Sequence, residues 1–260
     1  MLSKQFCALL GIYRIIAALL MGLGLSLPSH ALPFTLNPSN VGINGPSFTA
    51  DALKATEASH IVFDSVNTNL WTEHGYAQIT GAVSNGLVFT PTGLNNTYSL
   101  YFEFGGTGDQ STNLFNTAYM RFFAVNGQAT FSIEAVTHNA LVDTHGNTPV
   151  LLSNSDLLWG TTGQKFIAPG NPPKIDFFAS LMTTFSPTLT GLPFFNLPPN
   201  TNNLFGDFYH EASGVSLLQG EVVLVGGDDT LVFLSEPDSL ILFAFGLSGL
   251  FFANRLGKKT

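Results

Sequence analysis

Cysteine is almost missing from this sequence: Cys7 is the only one in 260 residues. It lies upstream of the cleavage point expected below, so the body of the chain carries no thiol. That excludes disulfides, zinc–thiolate centres and cysteine nucleophiles there. Charge is scarce as well, at 10% of residues, where globular chains average about a quarter. Basic charge is scarcest. Residues 32–238 hold four Lys or Arg against seventeen Asp or Glu, a balance of −13. A nucleic-acid binder needs Lys and Arg to displace phosphate counterions, so nucleic acid is not an expected partner. No long stretch of the body has a helical period, and no internal repeat has a fixed length. What the chain does have is 24 Phe and 26 Gly. That aromatic content argues against charge-driven disorder.

Both ends read as address labels. At the N-terminus, Lys4 and Arg14 precede an uncharged run from Ile15 to Leu27. Small Ser29 and Ala31 then occupy the −3 and −1 positions of a cleavage site. Residues 1–31 are expected to be a signal peptide, since the run is shorter than the ~20 residues of a spanning helix. At the C-terminus, Ser235-Glu236-Pro237 precedes 16 uncharged residues, Ser239–Asn254, and a tail with Arg255, Lys258 and Lys259. As a helix that run reaches about 24 Å, a little short of a bilayer's hydrocarbon core of about 30 Å. A single transmembrane helix with its basic tail on the cytoplasmic side is expected. The domain plan is therefore 1–31, 32–234 and 235–260.

The arrangement of 235–260 resembles the PEP-CTERM sorting signal of exported Gram-negative proteins. The matching positions are Glu236 and Pro237, the apolar run with Gly246 and Gly249, and the basic residues Arg255, Lys258 and Lys259. Ser235 stands where that family usually has Pro. The resemblance implies recognition by an exosortase, a membrane transpeptidase that cuts at the motif. It also implies export across the inner membrane, transient anchoring, and release to the cell surface or an exopolysaccharide matrix. Further in, Pro33–Pro38, Phe48–Asp51 and Trp71–Tyr76 are similar to the flocculation-associated PEP-CTERM proteins. That likeness implies a role in cell aggregation or biofilm, and it brings no catalytic residues.

The body reads as β-structure. Candidate strands are His60–Val66, Tyr76–Val83, Thr97–Phe104, Ala118–Val125, Ala129–Val136, Pro149–Leu152, Lys174–Phe185, Val215–Val225 and Thr230–Leu234. Alternation is clear in Tyr98–Phe104 and Thr130–Val136, where every second side chain can face a core. Turns are expected at Gly105–Asp109, Asn126-Gly127, His145–Asn147 and Gly226–Asp229, with Asn126-Gly127 joining two strands as a hairpin. Thr188–Asn203 reads as a long exposed loop. The expected fold is an all-β, antiparallel β-sandwich.

Candidate chemistry in the body is thin. Glu73-His74 and His210-Glu211 are adjacent pairs, but neighbours on a strand point to opposite faces and make poor dyads. His138 and His145 could meet across a hairpin near Asp143 and hold a metal; as a pair they read better as solvated loop residues. No Gly-x-Ser-x-Gly elbow, His-Glu-x-x-His helix or phosphate loop is present. No catalytic residue, metal or resident cofactor is expected, with Ca²⁺ at Asp109 or at Asp228-Asp229 as the one candidate ion. Trp71, Tyr76, Trp159, Phe194, Phe195, Phe205, Phe208 and Tyr209 are candidates for stacking on sugars, although most Phe must fill the core.

The functional expectation is a non-enzymatic exported protein associated with exopolysaccharide. Its expected partners are an exosortase, the matrix and, before processing, the membrane. The alternatives are a secreted β-sandwich enzyme acting on polysaccharide and a permanently anchored carbohydrate-binding protein. Paired carboxylates in a cleft would favour the enzyme. An acidic body is not steered to an acidic polysaccharide, so stacking or bridging cations would have to supply attraction.

Overall fold

The computed structural model describes residues 31–89, 92–168 and 174–235. The signal peptide expected over 1–31 and the sorting segment expected over 235–260 lie outside these residues, apart from Ala31 and Ser235. Ser235, the first residue of the expected motif, is the last residue of the final described strand. Among the described residues, no helix is long and apolar enough to cross a membrane.

The elements in chain order are β1 (Phe34–Leu36), β2 (Phe48–Ala50), β3 (Ala52–Phe63), β4 (Leu70–Ser84), β5 (Leu87–Phe89), β6 (Tyr98–Asp109), β7 (Leu114–Asn126) and β8 (Thr130–Ile133). They continue with β9 (Ala140–Asp143), β10 (Val150–Ala168), β11 (Lys174–Thr184), β12 (Ser186–Pro187), β13 (Phe195–Asn196), β14 (Thr201–His210), β15 (Val215–Leu218) and β16 (Glu221–Ser235). Two short 3₁₀ turns, Pro38–Val41 and Ala212–Gly214, complete the set.

Antiparallel all-β architecture is as expected, but the sandwich is not. The long strands pair in the order β3-β4-β6-β7-β10-β11-β14-β16, and β16 pairs back onto β3. This is one closed barrel of eight strands, each hydrogen-bonded to the next long strand in sequence. Alternation could not separate the two folds, because both bury every second residue. Closure depends on the pairing of the last long strand with the first, between residues 159 to 178 positions apart in sequence.

Three turn readings are also corrected. Gly105–Asp109 is the end of β6, not a turn. Its glycines make room for rings: a Cβ on Gly108 would stand 2.1 Å from Trp71 Cζ2. Gly226–Asp229 is a bulge within β16 rather than a break between strands. The true break lies at Gly220, between β15 and β16. Asn126-Gly127 does not join a hairpin. Such a turn needs positive φ at both residues, and only Gly127 has it. The Asn126 side chain instead accepts from the Asn44 amide and donates to the Gly42 carbonyl. The chain leaves the barrel there, and β8 pairs with β9 as a separate ribbon. The loop expected over 188–203 contains β13 and the start of β14, which the Asn-rich sequence concealed.

The barrel has a packed end and a second end with a cavity. Leu53, Leu100, Phe102, Phe122, Leu152, Phe185, Leu204 and Phe233 fill the packed end. The small sheet β13-β1-β2 closes it with Phe34, Leu36, Phe48 and Phe195. An eight-stranded barrel is just wide enough for side chains to fill. Each fully buried Phe or Leu contributes roughly 1.5–3 kcal/mol, so this core can hold the fold without disulfides. The second end is lined by Ile61, Trp71, Phe177, Val222 and Leu224. The outer wall carries Lys54, Glu103, Arg121, Asn154 and Asp207, all with some exposure.

Candidate functional site

Three clusters of chemistry-bearing side chains stand on this wall, one inside and two outside. Inside, Glu57 and Ser59 on β3, Glu73 on β4, His210 on β14 and Asp229 on β16 form a polar layer between the two ends. The bulge at Gly226–Asp229 puts Asp229 there. One extra residue reverses the alternation of β16: Val222 and Leu224 face inward before it, and Asp229, Leu231 and Phe233 after it. Asp228 is left outside, where it pairs with Lys54 Nζ at 2.7 Å.

Burial sets the protonation of this layer. It raises Glu57 well above the usual carboxylate range, helped by the neighbouring Asp229 and Glu73 charges. It raises Glu73 to about 7, against a hydrogen bond from Ser59 Oγ at 2.9 Å. It raises Asp229 to about 8, against the Tyr209 backbone amide. It lowers His210 to about 4, against a backbone hydrogen bond to Gly226. His210 Nε2 lies 3.2 Å from Glu57 Oε1. Desolvation opposes charge on both partners, so this is a contact of neutral groups rather than an ion pair. Glu57, Glu73 and His210 line a cavity of about 40 Å³. Glu73 also borders one of about 250 Å³ at the second end, with Trp71, Gln110, Asn113 and Gln164.

Outside, β10, β11 and β14 present aromatic rings to solvent. Trp159 is 48% exposed, Phe178 45% and Tyr209 40%. Phe178 and Tyr209 are direct cross-strand partners, and Trp159 pairs with Met182, which pairs with Phe205. Between these rows Ser180 Oγ donates to Asp207 Oδ1 at 2.7 Å. The Tyr209 hydroxyl donates to Asp176 Oδ2 at 2.7 Å, which fixes its ring. A register shift between Leu157 and Trp159 leaves Leu158 and Trp159 both exposed. Of the aromatics singled out from sequence, Trp159 and Tyr209 are here, with half-buried Phe205 beside them. Trp71, Phe194, Phe195 and Phe208 are buried core, and Tyr76 packs near Tyr101 and Phe131. Phe178 was missed, although adjacent Phe177 and Phe178 on one strand must face opposite ways.

The second outer cluster lies on β3, where the β8–β9 ribbon covers the wall. His60 Nε2 is 3.1 Å and His138 Nδ1 3.0 Å from the same atom, Glu221 Oε2. His138 and His145 do not meet. His145 turns to Asp143, 3.2 Å away. Of the proposed Ca²⁺ ligands, Asp109 and Asp228 are otherwise engaged. Asp109 accepts from the Ser111 amide and hydroxyl, which hold its carboxyl below the usual range, while Asp228 and Asp229 point to opposite sides of the wall. Glu73 and His74 face opposite sides, as strand geometry requires. Glu73 bonds Ser59 inside, and outside His74 Nε2 reaches Glu103 Oε1 at 3.2 Å.

No protein-family model, curated protein or solved structure matches this chain.

The interior layer carries a pH dependence whose direction is fixed. Buried carboxyls with raised folded-state values keep their protons while the unfolded chain loses them. Their stabilisation is complete below about pH 4 and is lost as pH rises through 7 and 8. His210 acts oppositely between about 4 and 6.5 and contributes no slope above that. Unfolding free energy from urea titrations should therefore fall between pH 6.5 and 8.5, and less steeply in Glu57→Gln. A stability that is flat or rises over that range would contradict the neutral layer.

Proposed function

We propose that this chain is an exported, exopolysaccharide-associated barrel that an exosortase sorts through its C-terminal signal and that supports cell aggregation. The carrying observation is the order of parts after the barrel: Ser235-Glu236-Pro237, the uncharged run Ser239–Asn254, then Arg255, Lys258 and Lys259. The signal sequence ending at Ser29–Ala31 would deliver the chain to the inner membrane of a Gram-negative cell, and the C-terminal run would anchor it as a transmembrane helix until processing. The placement of β16 supports this reading. β16 runs to Ser235, immediately before Glu236-Pro237, so a cut at the motif leaves its closing ladder with β3, Glu221–Leu231, intact.

Contact with the matrix is assigned to the outer aromatic rows. Ring faces at Trp159, Phe178 and Tyr209 can stack on sugar C–H faces, and Asp207 can accept from sugar hydroxyls. Stacking needs no basic charge, which suits a body with a balance of −13.

One observation favours the rival reading of a secreted polysaccharide-acting enzyme: Glu57 and Glu73 line one cavity with raised proton affinities. The volumes weigh against it. Cavities of about 40 and 250 Å³ fall below the ~300–1,000 Å³ of small-ligand sites, far short of a groove for a glycan chain.

Deleting Glu236–Thr260 should shift the protein away from the membrane and matrix fractions in fractionated cells. Partitioning like that of the full chain would sink the sorting claim. Separately, Trp159→Ala should weaken retardation on a neutral glucan in affinity electrophoresis by about 2- to 10-fold. Unchanged mobility would remove the aromatic rows from the account.

A further inference from the structure

We infer that His60, His138 and Glu221 form a binding site for a divalent transition-metal ion of the zinc type on the outer barrel wall. Three strand-level facts bring these residues together from far apart in sequence. His60 faces outward on β3, Glu221 begins β16 beside it in the barrel-closing ladder, and His138 sits in the turn of the β8–β9 ribbon. Their donor atoms, one per residue, all lie within 4.8 Å of one another. The two imidazole nitrogens stand 3.1 and 3.0 Å from Glu221 Oε2. Donors at ~2.0–2.1 Å from one tetrahedral ion are separated by about 3.3 Å, so both imidazole–carboxylate spacings already fit a shared ion, and the two rings need only turn towards each other to complete the shell.

Donor chemistry selects the ion. Two imidazoles and a carboxylate suit Zn²⁺, Co²⁺, Ni²⁺ or Cu²⁺, whereas Ca²⁺ and Mg²⁺ take oxygen ligands. His60 is only 8% exposed, so one ligand is already desolvated and fixed by packing. His138 has φ +57, a left-handed conformation that costs a non-glycine residue free energy and that clusters at ligand clamps. Its amide bonds the Glu134 carbonyl at 3.0 Å, which holds the ring in place.

Three protein ligands leave a fourth position for water or an external donor, as in zinc sites that are not purely structural. A cleft of about 200 Å³ adjoins the cluster, lined by His60, Thr72, His74 and Asn139. His74 stands directly opposite His60 in the ladder, and Glu103 orients it. The ion would also tie the ribbon to the barrel. A two-stranded ribbon of four-residue strands is marginal alone, and this one otherwise rests on Phe131 and Val142 against Tyr76, Tyr101 and Phe123.

The test is titration of chelator-stripped full-length chain in detergent with Zn²⁺ by calorimetry and with Co²⁺ by visible absorption. The inference predicts one saturable equivalent and the d–d bands of a four- or five-coordinate Co²⁺ ion. His138→Ala and Glu221→Gln should each weaken binding by about 10-fold or more, while His145→Ala leaves it unchanged. Circular dichroism checks that the variants fold, and His138→Gln replaces His138→Ala if the latter does not. Absence of saturable binding, equal binding in parent and His138 variants, or loss in His145→Ala would each overturn the assignment. These outcomes do not depend on sorting, because the titration is made on isolated protein.

Discussion

The pairing of β16 with β3 is the constraint on which the rest depends. Glu221–Leu231 lies beside Leu53–Val62, and that one ladder turns a run of consecutive antiparallel strands into a ring. Closure leaves the eight long strands without a free edge, which removes the usual route to edge-to-edge aggregation. It also fixes the inner radius, so that Phe102, Phe122, Phe185 and Phe233 can meet across the packed end. Without cysteine in the body, no covalent link substitutes for this ladder. Contacts between strands so distant in sequence are entropically late, so closure belongs to the slow part of folding.

Irregularities in the ladder then decide which side chains serve the core and which serve the outside. The bulge at Gly226–Asp229 sends Asp229 inward and Asp228 outward to Lys54. The irregularity at Leu157–Trp159 leaves two large apolar side chains in solvent beside Phe178 and Tyr209. The departure of the chain at Asn126-Gly127 frees β8 and β9 to fold over β3, which brings His138 to His60 and Glu221. Each of these features would vanish if the strands kept strict alternation and pairing. Burial at the same time raises the proton affinity of Glu57, Glu73 and Asp229 and lowers that of His210, which keeps charge in the interior low.

The strand content was legible in the sequence because alternation is local. Tyr98–Phe104 is strand as expected, the strand expected over Ala129–Val136 is realised only as Thr130–Ile133, and the opposite facing of Glu73 and His74 follows from the same rule. Closure was not legible, since sandwich and barrel share one alternation. Glycines were misread where they provide space: Gly108 lies under the Trp71 indole instead of turning the chain. The metal-type cluster escaped because its three residues are separated by 78 and 83 positions and meet only through the barrel ladder and the ribbon. Trp159 and Tyr209 were found by residue type; Phe178 needed the facing rule applied to a Phe-Phe pair.

Closure is tested most directly by amide hydrogen exchange resolved by residue. A closed barrel predicts that alternate amides on both sides of β3 and β16 exchange as slowly as those in the interior ladder of β6 and β7. An open sheet or a sandwich would leave one side of β3 or β16 as an edge. Every second amide of that strand would then exchange rapidly, and that pattern would contradict the barrel and the sites built on its wall.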